Sequence, residues 1–238
     1  MINCAAWTDV DGCENAPHKA HAINAGGPEN LARASRSVGG LFVTISTDYV
    51  FDGHKAGFYT QRDHPNPESV YGLSKLEGER RAQSAYARTI VVRTGFVFGP
   101  GGKNFLSTVV DRARRGERLK AISNAWGTPA YSEDLAARLR VLANLDLPGV
   151  FHVVNAGAGV SYEEFARLAL RAARCEHANL ETVTMESLHR PARRPRNARL
   201  QCVLSEALGL PALPFWGQAV QTFVASQQPE IAPQKLDT

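Results

Sequence analysis

Short apolar, β-branched runs alternate with amphipathic stretches along the chain. The apolar runs have the length and composition of buried strands, and Gly or Asn residues often mark their ends. The predicted strands are residues 1–5, 41–46, 89–94 and 150–155. Between and after them apolar residues recur at helical spacing, which predicts helices over residues 28–37, 69–87, 104–115, 132–145 and 162–175. Continuous apolar strands that alternate with helices indicate a parallel sheet covered on both faces, so the pattern predicts a doubly wound α/β fold.

The regular alternation ends near residue 155. We therefore expect a larger Rossmann-like domain over residues 1–155 and a smaller part over residues 156–238. The sequence Gly-Pro-Gly-Gly at residues 99–102 is a loop that leaves the sheet. Ser161 is suited to cap the helix whose first turn contains Glu163 and Glu164.

The composition is that of a globular protein. The chain has 238 residues, of which 44% are hydrophobic and 21% are charged, so a sizeable core is expected and wholesale disorder is excluded. No apolar run approaches the roughly 20 residues that cross a bilayer. The first residues lack the basic leader and long apolar stretch of a secretory signal, so we expect a cytoplasmic protein with no membrane partner.

Cysteines and charge narrow the classes of site. The four cysteines are Cys4, Cys13, Cys175 and Cys202. They lie too far apart for a zinc-binding Cys pair, so we expect reduced thiols and assign no metal ligand. The net charge of +4 is uneven, because residues 189–199 carry five arginines and no acid. This arginine stretch is either a solvated face or an anion site. No aromatic residue is interleaved with the arginines, which argues against nucleic acid as a partner.

The most informative segment contains Tyr71 and Lys75. Their spacing of four residues on a predicted helix places both side chains on one face. A free phenol titrates near pH 10 and a neighbouring ammonium favours the phenolate, so we expect Lys75 to lower the pKa of Tyr71. Such a phenol is a usable proton donor. The spacing alone, however, occurs more often on ordinary surface helices.

The preceding strand changes that balance. It ends with Ser46 and Thr47, at the carboxyl edge of a parallel strand, where open α/β sheets bind their ligands. Either hydroxyl is placed to donate a hydrogen bond to a substrate oxygen. A hydroxyl followed by Tyr71 and Lys75, in this order along alternating strands and helices, resembles the short-chain dehydrogenase/reductase superfamily.

Further stretches resemble the dTDP-4-dehydrorhamnose reductase family. They are residues 2–11 (INCAAWTDVD), 46–51 (STDYVF), 70–72 with 75–79 (VYG, KLEGE), 102–105 (GKNF), 126–129 (WGTP) and 192–200 (ARRPRNARL). The matches follow the family's order from the first residues almost to the last. The resemblance implies hydride transfer from NADPH or NADH to the C4 ketone of a dTDP-bound 6-deoxy sugar, which yields dTDP-L-rhamnose or a close nucleotide-linked sugar.

The resemblance also implies a role for individual residues. Tyr71 is the acid that protonates the forming alkoxide, Lys75 tunes that acid and holds the nicotinamide ribose, and Thr47 orients the ketone. Further cofactor contacts are expected from the end of the first strand, at Ala5, Ala6 and Trp7. Residues 1–155 then form a residual NAD(P)-binding domain, whose loop and helix over residues 100–125 face the substrate. Residues 156–238 contribute to the nucleotide-sugar site.

Arginines and a few other side chains are expected to bind the nucleotide sugar. Planar guanidinium groups bind phosphate oxygens in pairs, so we expect one or more arginines of the stretch to hold the diphosphate. The candidates are Arg193, Arg194 and Arg199. On the other side of the cleft we expect Lys103 and Asn104, and against the sugar we expect Thr47, Asp48 and Phe96.

One departure from the family concerns the cofactor. A reductase of this class carries a G-x-x-G-x-x-G turn at a helix N-terminus, and the 238 residues contain none. Residues 2–6 correspond to the family's fourth strand, so we expect roughly 60 residues upstream, with Met1 a misassigned start and the first strand an open edge. Without the Gly-rich turn, cofactor affinity is expected to fall about a thousandfold or more.

Other departures leave the exact sugar open. Phe96 stands where the family commonly has a Trp, Ala130 replaces a Thr, and residues 123–127 lack an Asp-Gln pair. The resemblance allows a magnesium ion, for which no ligand is assigned, and a homodimer. The alternative interpretation is a non-catalytic homologue such as the regulatory subunit of methionine adenosyltransferase. Retention of Tyr71 and Lys75 argues against that alternative.

Overall fold

The computed structural model describes residues 1–227. Within that range the strands are β1 (Ile2–Asn3), β2 (Phe42–Thr47), β3 (Thr89–Thr94), β4 (Val97–Phe98), β5 (Leu119–Ile122), β6 (Trp126–Gly127), β7 (Ala130–Tyr131), β8 (Gly149–His152), β9 (Val160–Ser161), β10 (Leu180–Val183) and β11 (Asn197–Ala198). The helices are α1 (Val10–Asn15), α2 (Pro17–His21), α3 (Gly27–Ser37), α4 (Val70–Ala85), α5 (Phe105–Arg114), α6 (Ser132–Leu145), α7 (Tyr162–Ala172), α8 (Val203–Ala207) and α9 (Trp216–Ser226). A π-helical turn over Ala22–Gly26 joins α2 to α3.

A parallel sheet in the order β1-β2-β3-β8 forms the centre of the fold. Every residue of β3 is buried, as is β2 apart from Ile45. Burial on both faces follows from helices that cover both sides of the sheet. The predicted α/β fold is therefore confirmed, and the four strands and five helices expected from the pattern are present with boundaries shifted by a few residues.

β1 lies at one edge of the sheet, as expected, and within residues 1–227 it pairs only with β2. Met1 and Ile2 are 56% and 47% exposed, which makes this edge apolar. At the far edge β8 pairs with β3, and its His152 is buried. The functional edge is set by strand direction, since all four strands end on the same side.

A second hydrophobic core lies beside the sheet. It is formed by α5, α7 and α9, whose buried side chains include Leu106, Phe165 and Phe223, with Phe98 of β4 between them. Short pairings of β5 with β10 and of β6 with β9 and β11 complete this part. Its core thus draws on chain from both sides of residue 155. The boundary at residue 155 stays a prediction, and residues 228–238 of the predicted second part lie outside the described residues.

Some elements escaped the pattern. α2, the π-helical turn and α8 have only five residues each, and α9 follows Pro211 and Pro214, so none of the four gave a clear helical period. Ser161 does cap α7, and Glu164 completes the capping box. In residues 1–227 no helix has the length and apolar content to cross a membrane.

α4 approaches its neighbours closely because it carries two glycines on its packed face. A Cβ at Gly72 would lie 2.3 Å from the Tyr49 carbonyl oxygen, and one at Gly78 would lie 2.1 Å from that of Asn24. These gaps are below any real contact distance, so no larger residue fits without moving the helix.

We expect Gly78→Ala to destabilise the protein by about 1–3 kcal/mol, because the added methyl forces α4 away from the π-helical turn. Gly26→Ala is the matched control. It has a right-handed helical φ of −64° and open space around its Cα, so it should be neutral or stabilise by about 0.4–1 kcal/mol. Urea unfolding of the two variants measures the difference. Equal stabilities would contradict the packing described for α4.

Candidate active site

A cavity of about 260 Å³ opens at the carboxyl ends of β2 and β3. Its walls include six of the predicted site residues, which are Ala6, Thr47, Asp48, Tyr71, Lys75 and Phe96. They come from the segment after β1, the end of β2, the first two turns of α4 and the turn after β3. The parallel strands end at one edge, and this explains why residues so far apart in the chain meet here.

α4 presents Tyr71 to this cavity from its first turn. Ser69 caps the helix by accepting a hydrogen bond from the Gly72 amide at 3.1 Å. The Tyr71 ring packs edge-on against Tyr49, with centroids 5.6 Å apart. Burial raises the pKa of Tyr71, and a hydrogen bond with the Thr47 hydroxyl opposes that rise. The phenol is therefore held in its protonated form beside Thr47.

Lys75 lies one turn further along α4. Its Nζ donates a hydrogen bond to the Ile45 carbonyl oxygen at 2.7 Å. Burial lowers the pKa of Lys75 to about 8, while the negative charge of Glu79 raises it. The expectation that Lys75 lowers the pKa of Tyr71 is wrong for this arrangement. Burial raises that pKa, the charges of Asp48, Tyr49 and Cys13 add to the rise, and Lys75 is not among its causes.

The two hydroxyls at the end of β2 have different surroundings. Ser46 donates a hydrogen bond to Glu79, which ties it to the helix behind the cavity. Thr47 instead donates to Asp48 Oδ1 at 2.9 Å and lies beside Tyr71. Of the two alternatives left open by the sequence, Thr47 is the hydroxyl with the geometry to meet a substrate oxygen.

Glu79 and Arg93 form a buried ion pair that sequence reasoning missed. The Arg93 guanidinium donates to both Glu79 oxygens, at 2.9 and 2.7 Å, and both side chains are more than nine-tenths buried. The signal was available, since Tyr71, Lys75 and Glu79 follow at intervals of four on one helix face. The pair joins α4 to β3 directly behind Lys75.

Asp48 is buried at the end of β2 and has one unsatisfied oxygen. Its Oδ1 accepts from Thr47, whereas Oδ2 has no partner in residues 1–227. Oδ2 lies where a Cβ at residue 95 would sit 2.2 Å away, so Gly95 leaves space for the carboxyl. Burial raises the pKa of Asp48 to about 7, and its hydrogen bonds, first that from Thr47, oppose the rise.

Phe96 forms the outer wall of the cavity. It has a positive φ of 44°, an uncommon conformation for a bulky residue and one that is often retained at functional sites. Its ring packs on Tyr162 at a centroid distance of 4.2 Å. Tyr49 and Tyr162 were both missed by sequence reasoning, although Tyr49 directly follows the Thr47-Asp48 pair. A small cleft of about 10 Å³, lined by Tyr49, Phe96 and Tyr162, adjoins the cavity and shares Tyr49 and Phe96 with it.

The arginine stretch borders that cleft and a second cavity of about 690 Å³. The second cavity is lined by Arg190, Arg193, Arg194 and Arg196, together with acids such as Glu186. Arg194 is paired with Asp11 of α1 at 2.7 Å, and Arg196 is paired with Glu186. Arg190 and Arg193 have no ion-pair partner in residues 1–227.

Arg199 does not join this cluster. Its guanidinium donates to Asn197 Oδ1 at 2.8 Å and to the Ala56 carbonyl at 2.7 Å, and it stacks on Phe58. It lines none of the three spaces described above. Of the three candidate arginines, Arg199 thus lies apart from the spaces that Arg193 and Arg194 line, because neighbouring backbone and side-chain groups hold its guanidinium elsewhere.

Lys103 and Asn104 also lie away from these spaces. Asn104 caps α5 by accepting from the Ser107 amide at 3.0 Å, and it donates to the Gly99 carbonyl at 2.9 Å. Its amide is thus occupied by a structural role. Lys103 is exposed in the loop before α5. In the structure neither residue lines the cavities that contain Tyr71 or Arg193.

The residues expected at the cofactor differ in position. Ala6 lines the cavity beside Lys75, and the Ala5 amide donates to Asn3 Oδ1. The main chain of Trp7 is bound by Asn24, at 2.8 Å and 3.0 Å. The cavity has room for a nicotinamide and its ribose but not for a whole dinucleotide. In the cavity, Lys75 has further ammonium hydrogens with which it would hold the ribose.

Gly26 and Gly27 do not form a phosphate-binding turn. Both have right-handed helical φ values, −64° and −56°, and they lie at the junction of the π-helical turn and α3. The absence of a Gly-rich turn noted in the sequence therefore holds for the structure of residues 1–227 as well. That range also contains no group of three His, Cys, Asp or Glu that could hold a metal ion.

Comparison with known proteins gives this geometry a family. The profile described as RmlD substrate binding domain matches residues 1–228. The chain is 37% identical over 232 residues to a dTDP-4-dehydrorhamnose reductase of Mycobacterium tuberculosis, covering 95% of this chain and 76% of that protein. A reductase of the same description from Streptomyces griseus is 36% identical over 227 residues, covering 92% and 74% of the two chains. The chain belongs to the dTDP-4-dehydrorhamnose reductase family.

Solved structures of the family agree. A dTDP-4-dehydrorhamnose reductase from Clostridium acetobutylicum superposes with a TM-score of 0.91 at 35% identity, covering 96% of this chain and 80% of that one. One from Bacillus anthracis, in complex with NADP, also gives 0.91, at 33% identity and with coverage of 94% and 79%. The family resemblance read from the sequence is therefore confirmed over the whole described range.

Proposed function

We propose that the protein reduces the C4 ketone of dTDP-4-dehydro-L-rhamnose, or of a close nucleotide-linked 4-keto sugar, with hydride from NADPH or NADH. The observation that carries this proposal is the convergence of Thr47, Tyr71 and Lys75 in one cavity at the carboxyl edge of the sheet. The chain's membership of the reductase family supports the same reaction.

The residues of the cavity have complementary tasks. The Thr47 hydroxyl donates to the ketone oxygen and orients it toward Tyr71. Tyr71 then gives its proton to the alkoxide that forms as C4 is reduced, a step for which a positioned acid is worth about a hundred- to ten-thousandfold in rate. When bound, the reduced nicotinamide supplies the hydride. Lys75 would hold its ribose, and Ala6 borders the space for the ring.

We expect the nucleotide end of the substrate to lie against the arginines of the second cavity. Arg190 and Arg193 are the candidates for the diphosphate, because they have no ion-pair partner within the described range. Arg194 already forms an ion pair with Asp11, and its side chain lines the cleft.

We expect Arg193→Ala to raise the KM for the dTDP-sugar by roughly tenfold with little change in kcat, because the lost charge-assisted hydrogen bond binds substrate and transition state alike. Arg171→Ala, on the exposed face of α7, is the control and should leave KM unchanged. Calorimetric titration with dTDP alone should show the same loss of affinity. An unchanged dTDP affinity in Arg193→Ala would remove this arginine from the site.

The test of the function is turnover by the protein translated from its full open reading frame. We expect that protein to oxidise reduced nicotinamide only when a dTDP-4-keto sugar is present, and to form the dTDP-linked 6-deoxy sugar. Cofactor binding without turnover would contradict the proposal and favour a regulatory homologue such as that of methionine adenosyltransferase. Comparison of NADPH with NADH in the same assay decides the cofactor.

The proposal includes the cellular compartment, the oligomeric state and the metal requirement of the enzyme. Unpaired cysteines at positions 4, 13, 175 and 202 suit a reducing cytoplasm, where we place the enzyme. A homodimer and a magnesium requirement remain predictions that family resemblance alone supports. Sedimentation with and without magnesium tests both.

A further inference from the structure

The Asp48 carboxyl is a buried group that the mechanism above leaves without a role in proton transfer. It is 3% exposed, and in residues 1–227 no ion pair or cation contact holds it. Its Oδ2 is buried without a hydrogen-bond partner. An ionised carboxylate in such surroundings is costly, whereas a protonated one is not. The position therefore favours a carboxylic acid that carries its proton.

Thr47 links this carboxyl to the cavity that contains Tyr71. Thr47 Oγ1 lies 2.9 Å from Asp48 Oδ1, Thr47 and Tyr71 line the same cavity, and the Thr47 hydroxyl lowers the pKa of the Tyr71 phenol. The Tyr49 amide donates to Thr47 Oγ1 at 3.2 Å and fixes its position. In the structure Thr47 donates to Asp48 Oδ1. A hydroxyl has one donor and two acceptor positions, so once the ketone has been reduced, a protonated Asp48 donates to Thr47 while the single Thr47 proton turns to Tyr71.

We propose that Asp48 stores the proton that restores Tyr71 after each reduction and delivers it through the Thr47 hydroxyl. This inference rests on the proposed function, which supplies the reaction that deprotonates Tyr71. Asp48 acts on the substrate only through Thr47 and Tyr71, so it is a positioning residue for the proton and not a catalytic residue.

The proton and electron balance is complete. C4 of the sugar accepts hydride from NAD(P)H, the carbonyl π pair moves to oxygen, and that oxygen takes the Tyr71 proton. The Tyr71 phenolate then takes the Thr47 proton as Thr47 takes the proton of Asp48. Asp48 is left as a carboxylate and takes up one proton from water, which completes the cycle.

The groups around Asp48 suit this exchange. Three phenols face the region: Tyr49 and Tyr71 from the end of β2 and from α4, and Tyr162 from α7. Lys75 lines the same cavity but donates to the Ile45 carbonyl. Arg190 and Arg194 act on Tyr49 and Tyr162 from the cleft side. Burial raises the pKa of Asp48 to about 7, near the working pH, so the group can both give and regain a proton.

Asp48→Asn tests the proton store, because the amide keeps the size and most of the hydrogen bonding but cannot pass a proton on. We expect kcat to fall about tenfold or more while the KM for the dTDP-sugar changes little. In the unmodified enzyme kcat should fall as pH rises through about 7, and in Asp48→Asn that dependence should disappear. Formate added to Asp48→Ala should restore part of kcat. Asp111→Asn, on the exposed face of α5, is the control.

A second measurement does not depend on activity. The folded state holds the Asp48 proton up to about pH 7, whereas an unfolded Asp releases it near pH 4. Folded protein thus binds more protons between these values, and Asp48 makes stability fall as pH rises through that range. The stability of Asp48→Asn relative to the unmodified protein should therefore rise from pH 4 to pH 7. His152, whose pKa burial lowers to about 4, titrates in both proteins and cancels.

Each outcome has a distinct meaning. A relative stability that does not change with pH overturns the stored proton whatever the activity. If the unmodified enzyme turns over and Asp48→Asn has the same kcat and pH profile, the inference about Asp48 is overturned and the proposed function stands. If Asp48→Asn has a raised KM and an unchanged kcat, Asp48 is only an acceptor for a sugar hydroxyl and the inference is again overturned. No turnover by the unmodified enzyme overturns the proposed function, and the inference falls with it.

Discussion

Replacing Tyr71 by Phe is expected to lower kcat for sugar reduction by about a hundred- to ten-thousandfold. The variant removes one oxygen from the cavity and leaves the ring, whose packing against Tyr49 at 5.6 Å is retained. Without the phenol, no acid stands at the position of the Tyr71 oxygen to protonate the alkoxide that forms at C4. Steady-state turnover of the full-reading-frame protein with the dTDP-4-keto sugar measures the loss.

The control for this variant lies on the same helix. Tyr86 follows the last turn of α4, away from the cavity, and Tyr86→Phe should leave kcat unchanged. Binding of dTDP should be equal in both variants and in the unmodified protein, since the arginines are untouched. A Tyr71→Phe enzyme with undiminished kcat would show that another group protonates the substrate.

Breaking the buried ion pair between Arg93 and Glu79 is expected to have the largest effect on stability. Glu79→Gln leaves the Arg93 guanidinium buried without a counter-charge, which typically costs about 3–5 kcal/mol. The same change removes the negative charge that raises the pKa of Lys75. The pKa of Lys75 should therefore fall below about 8, and Lys75 should lose its charge at a lower pH.

Two comparisons separate the ion pair from general damage. Arg88→Met breaks an exposed pair with Asp146 and should cost no more than about 1 kcal/mol in the same urea titration. Replacing both partners, as Arg93→Met with Glu79→Leu, should recover much of the stability lost in Glu79→Gln, because no charge is then left buried. A Glu79→Gln protein as stable as Arg88→Met would show that the pair is not buried as described.

The sequence was most informative where one local pattern decides the structure. β2, β3 and α4 are long, strongly patterned elements, and their boundaries differ from prediction by at most two residues. Because strand direction determines which edge of the sheet carries the site, the order of Thr47, Tyr71 and Lys75 along the chain was enough to bring them together.

The hydrogen-bond partners of individual side chains could not be predicted in the same way. Arg199 and Arg193 belong to one arginine stretch, yet Asn197 and Ala56 hold Arg199 away from the cluster. Asn104 looked like a ligand-binding amide and caps α5 instead. Such outcomes depend on which polar groups lie within hydrogen-bond distance in the folded chain, and a pattern along the sequence does not contain that information.

The pKa of Tyr71 illustrates the same limit. The spacing of four residues placed Lys75 near Tyr71, and from this we predicted a lowered pKa for Tyr71. The structure buries the phenol and directs the ammonium to the Ile45 carbonyl, so the pKa of Tyr71 rises instead. Burial is a collective property of α4, β2 and the turn after β3, and the spacing of two residues along one helix does not reveal it.

The most direct test of the account follows the hydride itself. The full-reading-frame protein is incubated with a dTDP-4-keto sugar and with reduced cofactor that carries deuterium at the transferred position of the nicotinamide. We predict that the product is a dTDP-linked 6-deoxy sugar with deuterium at C4. An unlabelled C4, or a cofactor that binds without being oxidised, would contradict the account.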